Sequence, residues 1–470
     1  MRFIGREKEL AFLEAEYAKK SSFVALWGRE GYGQTSIINA FESGKPSLRF
    51  SALIEVDSQC RRRFRKAVAA YTGESFLADR PTESWEDLFR AIAGFQTEGK
   101  KLIILDNVQF LIEANKDFLF ILRKCWDEFL SKGNVMLMTA GPIRTSTVQH
   151  YQSKDSIFQD GEVKVLYMRR FRLKELWEHH PNLSFAHLVD LYTFTGGVPA
   201  YLDMFGDGTH DLDCLETHVM STSGYSHERP LGLLEREVRE PATYFSILVA
   251  IADGNSKLLD IANTLHMKTN ALGPYLSLLV KLGLIERRIP VTEENPEKSR
   301  KGMYCISDHF LNFWFQYICP NQEELDRGNT GLVRKHLEET YVQKLVVPAY
   351  VKVCRELLED FCQDGKLPFT PQRIGAYWNT DSTCPIDIIA IDQERNQLLV
   401  ADCFYLAPGE HVPPEAFGTL MRNLAAIEEL CRYKEVVYCL FSNRAFPPAL
   451  TELAHTSDHI HLVQETELLV

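Results

Sequence analysis

Three short runs of almost unbroken apolar residues mark the first third of the chain. Phe23-Val24-Ala25-Leu26-Trp27 runs into Gly28, Lys101-Leu102-Ile103-Ile104-Leu105 ends on Asp106, and Val135-Met136-Leu137-Met138-Thr139-Ala140 ends at Gly141. Runs this short, without polar alternation, predict strands covered on both faces, as in a parallel sheet sandwiched by helices. Further on the pattern changes. Ser184–Tyr192 repeats apolar residues at helical spacing, and 244–252, 258–262 and 270–282 read as three short helices. Two strand-like segments, 284–288 and 303–306, flank a polar loop and predict a β-hairpin after those helices. A long helix is expected over roughly 337–362, followed by two adjacent strands, Ile386–Asp392 and Leu398–Phe404, around a polar turn.

The first apolar run leads into the most informative stretch, Gly28-Arg29-Glu30-Gly31-Tyr32-Gly33-Gln34-Thr35-Ser36. It fits the phosphate-binding pattern G-x-x-x-x-G-K-[ST] at every fixed position except the lysine, replaced here by Gln34. Backbone N–H groups of such a loop, and of the helix that Ser36–Phe41 can form, point at phosphate. Thr35 is the expected magnesium ligand, together with Asp106 at the end of the second run. The position after that acid often carries a glutamate that activates water. Here it is Asn107, and an amide cannot take a proton from water. Arg29 and Arg144 are the candidates for a replacement cation, and a surface role for Arg144 is the alternative reading.

Composition narrows the partners. With 470 residues and 45% apolar content the chain can bury several cores. A formal charge of −12 argues against a bulk electrostatic grip on nucleic acid. The local basic runs Arg61–Lys66 and Arg169–Arg172 read as solvated faces, with nucleic-acid contact as the alternative. Eleven dispersed cysteines without a C-x-x-C pair exclude a zinc site of the usual spacing and fit reduced thiols. No apolar run reaches membrane-spanning length, and the N-terminus lacks a signal-peptide pattern, so a cytoplasmic location is expected.

Further local signatures carry a family resemblance. Phe3-Ile4-Gly5-Arg6-Glu7-Lys8-Glu9-Leu10 matches an opening motif of an apolar pair followed by G-R-E-x-E. Trp85–Phe89, Leu105-Asp106-Asn107-Val108-Gln109-Phe110-Leu111 and Gly196-Gly197-Val198-Pro199-Ala200-Tyr201-Leu202 follow in order. With these the chain resembles the archaeal-type ATPases, a branch of the STAND group of P-loop NTPases. The resemblance implies an α/β architecture. A P-loop NTPase core over 1–167 (a parallel sheet with flanking helices) is followed by a helical lid over 168–234, a winged helix over 235–325 and a restriction-endonuclease-like α/β domain over 330–470. It implies that ATP or ADP with magnesium is held by Phe3, Gly5, Arg6, Gly28, Gly31, Gly33, Gln34, Thr35, Ser36, Asp106 and Pro199. In the wider group this proline packs near the adenine, which places Pro199 opposite Phe3–Arg6.

In the C-terminal region the acids on two adjacent strands suggest the metal-dependent nuclease pattern D…(D/E)-x-K. By the resemblance, Asp387 is its first acid and Asp402 stands for the glutamate of E-C-K. Phe404 occupies the lysine position, and Tyr350-Val351 replaces an earlier F-E. A degenerate nuclease-like domain is expected, structural or partner-binding. The candidate recognition helix around 271–279 is almost free of basic and amide side chains, which disfavours DNA readout. Two functional readings follow. One is a nucleotide-regulated switch with weak or absent hydrolysis, with a protein partner or self-association. The other is an active ATPase coupled to DNA binding or processing through the C-terminal domains.

Overall fold

The computed structural model describes residues 5–74, 84–142, 161–205, 215–221, 240–367, 369–378 and 386–465, with single positions at 232, 234, 238 and 467. Phe3, Ile4 and Arg144 lie outside the described residues. The chain forms two compact units. The first comprises Met1–Arg170, Val198–Asp203 and Glu235–Arg239, and the second comprises the rest.

The first unit is built on a sheet of five strands: β1 (Ser21–Gly28), β2 (Ser47–Ser51), β3 (Lys101–Asp106), β4 (Val135–Pro142) and β5 (Lys164–Met168). All pairings are parallel, in the order β2-β3-β4-β1-β5. The lack of alternation in the apolar runs has a direct cause. Val24, Leu26, Ile104, Met136 and Met138 face one core with Leu13 of helix α1 (Glu7–Ala18) and Ile37, Ile38 and Phe41 of helix α2 (Gln34–Glu42). The intervening residues Phe23, Ala25, Trp27, Ile103, Leu105 and Leu137 face a second core. That core is closed by α3 (Asp57–Thr72), α4 (Trp85–Gly94) and α6 (Phe118–Cys125), the last preceded by the short helix α5 (Val108–Ala114). Phe64 anchors it, 5.3 Å from the rings of both Trp85 and Phe89. The helix α4 starts on a capping box in which Ser84 accepts from the Asp87 N–H and the Asp87 carboxylate accepts from the Ser84 N–H. The family-like signature at 85–89 thus packs the core.

The second unit starts with two helices, Leu173–His179 and Phe185–Thr195. Helices Pro241–Ala252, Leu258–Thr264 and Thr269–Lys281 follow, then the antiparallel pair β6 (Ile285–Arg288) and β7 (Met303–Ile306). The aromatic stretch after β7 is interior: Phe310, Phe313, Trp314 and Phe315 are buried. The expected long helix runs unbroken from Gly331 to Gln363, with a π-helical turn over Val342–Val346 just before Pro348. The unit ends in a mixed sheet of order β12-β11-β10-β9-β8. Its strands are β8 (Arg373–Gly375), β9 (Ile388–Asp392), β10 (Gln397–Phe404), β11 (Glu435–Ser442) and β12 (Ile460–Gln464). β10 runs antiparallel to β9 and parallel to β11.

The helix Phe185–Thr195 is tied within this unit. Asp190 accepts a hydrogen bond from the Tyr341 hydroxyl, Phe194 stacks on Tyr341, and the carbonyl of Tyr192 lies 3.1 Å from His309 Nδ1. Arg172 pairs with Asp360. Among the described residues no helix is long and apolar enough to cross a membrane.

Candidate nucleotide site

The glycine loop sits at the carboxyl end of β1, the strand flanked by β4 and β5, where parallel α/β sheets form their ligand crevice. It bends through positive φ at Gly31 (89°) and Gly33 (90°), and Gly33 is the N-cap of α2. Gly28 is required by close approach. A β-carbon there would stand 2.8 Å from the Cβ of Met168 and 2.9 Å from Nε2 of Gln34.

Gln34, in the lysine position, turns its side chain back into the loop. Its Nε2 donates to the carbonyl of Arg29 at 3.1 Å. The amide fastens the loop to itself and brings no charge to it. Thr35 is exposed and Ser36 half-buried on the first turn of α2. The segment after Gly197 also belongs to this unit and lies on the loop. The N–H of Ala200 donates to the carbonyl of Gly31 at 3.1 Å, and Pro199 Cγ lies 3.8 Å from where a β-carbon on Gly33 would be. Pro199 is therefore against the phosphate loop, on which Arg6 also donates to the Tyr32 carbonyl.

Gly5 and Arg6 open α1 with φ of 52° and 112°. Arg6 is buried and its guanidinium is spent on the protein. It donates to the carbonyl of Tyr32 at 3.1 Å, to the carbonyl of Arg169, and to Glu9 Oε1 at 3.0 Å. Arg6 thus ties the glycine loop to the end of β5, a role in shaping the loop.

Asp106 ends β3, as the pattern requires, but its carboxylate is engaged. Oδ2 accepts from Nη2 of Arg49 at 2.9 Å, and Oδ1 accepts from the N–H of Asn107 at 2.9 Å. Asn107 is left-handed (φ 57°) and its Oδ1 accepts from Gln109 Nε2 at 3.3 Å. Arg49 comes from the middle of β2 and was not anticipated. Its signal was present as a lone charge between the buried Leu48 and Phe50, in a strand buried at alternate residues. Magnesium takes oxygen ligands, and here one carboxylate oxygen accepts from an arginine and the other from a backbone N–H, so a cation would compete with both. As they stand, these side chains do not fit the metal that the motif implies.

The other candidate pair is also brought together. Asp387 and Asp402 meet at the start of β9 and the end of β10, with the N–H of Asp387 3.4 Å from Asp402 Oδ1 and the N–H of Cys403 donating to Asp387 Oδ2 at 2.8 Å. Burial raises both carboxyls. With the added charge of Asp387, Asp402 is pushed up to about 7. Among the described residues no group of three or more potential metal ligands forms around them.

The basic runs are largely spent internally. Arg61 pairs with Asp57, Arg63 pairs with Glu55, and Arg65 is buried.

Residues 17–144 match the AAA domain family, and residues 314–409 match DUF234, described as archaeal and bacterial proteins of unknown function. The uncharacterized protein MJECL04 of Methanocaldococcus jannaschii is 28% identical over 400 residues, covering 85% of this chain and 86% of that one. Among solved structures, the Walker-type ATPase PABY2304 of Pyrococcus abyssi is similar in fold, with a TM-score of 0.50 and 18% identity over 67% of this chain and 96% of its own. The Aeropyrum pernix ORC2 protein, solved in ADPNP–ADP complexes, matches with a TM-score of 0.42 and 14% identity over 70% and 96%. The parallel sheet, the glycine loop at the end of β1 and the AAA-domain match over 17–144 give the first unit the fold of P-loop NTPases, and the DUF234 match over 314–409 follows it along the chain.

Proposed function

We propose that the loop over 28–36 holds ATP or ADP and that the protein is a nucleotide-regulated switch with weak or absent hydrolysis. One observation carries this reading. The glycine loop keeps its shape on β1 and α2, while Gln34 spends its amide on the Arg29 carbonyl at 3.1 Å instead of presenting a cation. Backbone N–H groups and the N-terminus of α2 remain to bind phosphate. Charge-assisted bonds are roughly twice as strong as neutral ones, so the loss of the lysine weakens binding without abolishing it. Asn107 supplies no general base for water. Gly28, Gly31, Gly33, Gln34, Thr35 and Ser36 are the proposed ligand-facing residues, with Asp106 beside them. Arg6 and Pro199 brace the loop. The engagement of Gly31 by Ala200 gives the switch its handle, because phosphate entering the loop must be accommodated against residues 198–200.

In this reading the three helices and hairpin over 235–325 form a winged helix, and 330–470 form a degenerate restriction-endonuclease-like domain that serves a protein partner or self-association. The approach of Asp387 to Asp402 favours that ancestry, and Phe404 in the lysine position argues against cleavage. DNA processing is the lesser reading, and a cytoplasmic location fits either.

Calorimetry with ATP and with ADP, on this chain and on Gln34→Lys, tests the proposal. We expect measurable heat from both, with tighter binding by about tenfold in the variant, and phosphate release near background in the unaltered chain. No heat from either protein would sink nucleotide binding. Robust turnover by the unaltered chain would sink the switch without hydrolysis.

A further inference from the structure

We infer that Arg49 is the resident cation of the nucleotide site, and that the nucleotide is bound there without a divalent metal. This rests on the nucleotide reading above and deepens it by naming the ligand form: a nucleoside phosphate free of magnesium.

The argument starts in β2. Ser51 pairs with Asp106 across β2 and β3, and strand alternation puts Arg49 on the same face, two residues back. That face is the one covered by α2, because the neighbours Leu48 and Phe50 point into the opposite core. The guanidinium is held from both sides. Nη2 donates to Asp106 Oδ2 at 2.9 Å, while Nη1 donates to Asn39 Oδ1 at 2.6 Å and lies 3.2 Å from Glu42 Oε2. Asn39 and Glu42 both lie on the helix that the glycine loop begins. A planar fork with fixed donors suits such a two-sided seat far better than a flexible ammonium would. The pair is well shielded, with side-chain exposures of 22% for Arg49 and 10% for Asp106, so solvent screens it only in part.

The consequence is one of charge. In the usual loop a lysine and a magnesium ion offset the phosphates, and the strand-end acid orients the metal. Here the lysine is missing, and the acid already faces a fixed positive charge. A metal on Asp106 would have to displace Arg49 from one acceptor while repelled by it at close range. Arg49 faces two carboxylates, Asp106 and Glu42, so it offsets the charge of Asp106 in part and lessens its repulsion of an incoming phosphate. The phosphates then rest on backbone N–H groups and the N-terminus of α2.

The test is calorimetry of the full chain with ADP as the probe, once with EDTA and once with magnesium in excess. We expect affinities within about threefold of each other. A tightening of about tenfold or more with magnesium in the unaltered chain overturns the proposal. Arg49→Met should become magnesium-dependent by about tenfold, whereas Arg49→Lys, which keeps the charge but not the two-sided fork, should show a smaller dependence. Magnesium independence persisting in a folded Arg49→Met also counts against Arg49 as the resident cation. Should Arg49→Met not fold, the unaltered chain and Arg49→Lys decide the matter alone. No heat in any arm, Gln34→Lys included, removes the nucleotide reading and this inference with it. Heat that depends on magnesium in the unaltered chain removes this inference only.

Discussion

Replacing Asp402 by asparagine should stabilise the C-terminal sheet at alkaline pH, and the size of the gain follows from its surroundings. Asp402 lies at the inner end of β10, half-buried, with Asp387 beside it. Burial first, and the Asp387 charge second, push it up to about 7 from an ordinary value of 3.8. The folded protein therefore binds this proton more tightly than the unfolded chain. Below about pH 4 both states carry the proton and nothing is lost. As pH rises toward 7 the unfolded chain releases it first, and the stability it contributes falls across that window. Above the folded value the loss is complete. A gap of about three pH units, at about 1.36 kcal/mol each, sets an upper value near 4 kcal/mol, and residual solvent access lowers the expectation to about 2–4 kcal/mol.

The asparagine side chain would carry no charge at any pH and would keep an oxygen for the Asp387 N–H. Hydrogen exchange of the segment 388–404, read by mass spectrometry between pH 5 and 8 and corrected for intrinsic rates, measures the local stability directly. The unaltered chain should lose protection as pH rises through 5 to 7, and Asp402→Asn should lose much less. Parallel profiles for the two proteins would refute the reasoning, because they would mean that the pair carries no uncompensated charge.

Two further substitutions test other joints. Gly197→Ala should destabilise the second unit by more than about 3 kcal/mol, since φ is +73° and the new β-carbon would lie 2.0 Å from the Phe171 carbonyl oxygen. Urea midpoints, or exchange over 185–197, would reveal a milder effect if the backbone can shift. Asp106→Asn should cost the first unit about 1–2 kcal/mol by removing the charged partner of Arg49, read as a lowered urea midpoint without ligand. An unchanged midpoint would mean that the ion pair contributes nothing to the fold.

Much of the architecture was legible because burial on two faces leaves a plain mark. The runs at 23–27, 101–105 and 135–140 are unbroken since alternate residues feed different cores. The glycine loop was equally legible, its turn chemistry being local. What escaped were the partners brought from a distance. Arg49 lies 57 residues from Asp106, and only the parallel register of β2 against β3 sets Ser51 beside that acid. The carbonyl oxygens of Tyr32 and Arg169 that Arg6 serves, 26 and 163 residues away, were likewise not legible from its motif. The π-helical turn at Val342–Val346 had a local mark in Pro348, which has no N–H to donate to the preceding turn.

The two acidic sites hold their carboxylates under opposite physical conditions. Both lack the lysine that their motifs call for, yet each keeps its acids for a different physical reason. Asp106 is tied to Arg49, which also grips Asn39 and Glu42 of α2, so the acid helps to seat the helix that carries the glycine loop. Removing its charge therefore loosens the fold. Asp387 and Asp402 face each other with backbone N–H donors between them, so their charges oppose the fold and a proton relieves them. One chemical change, aspartate to asparagine, is thus expected to carry opposite signs in the two units at pH 8. That contrast separates an acid retained as a structural partner from one retained at a cost.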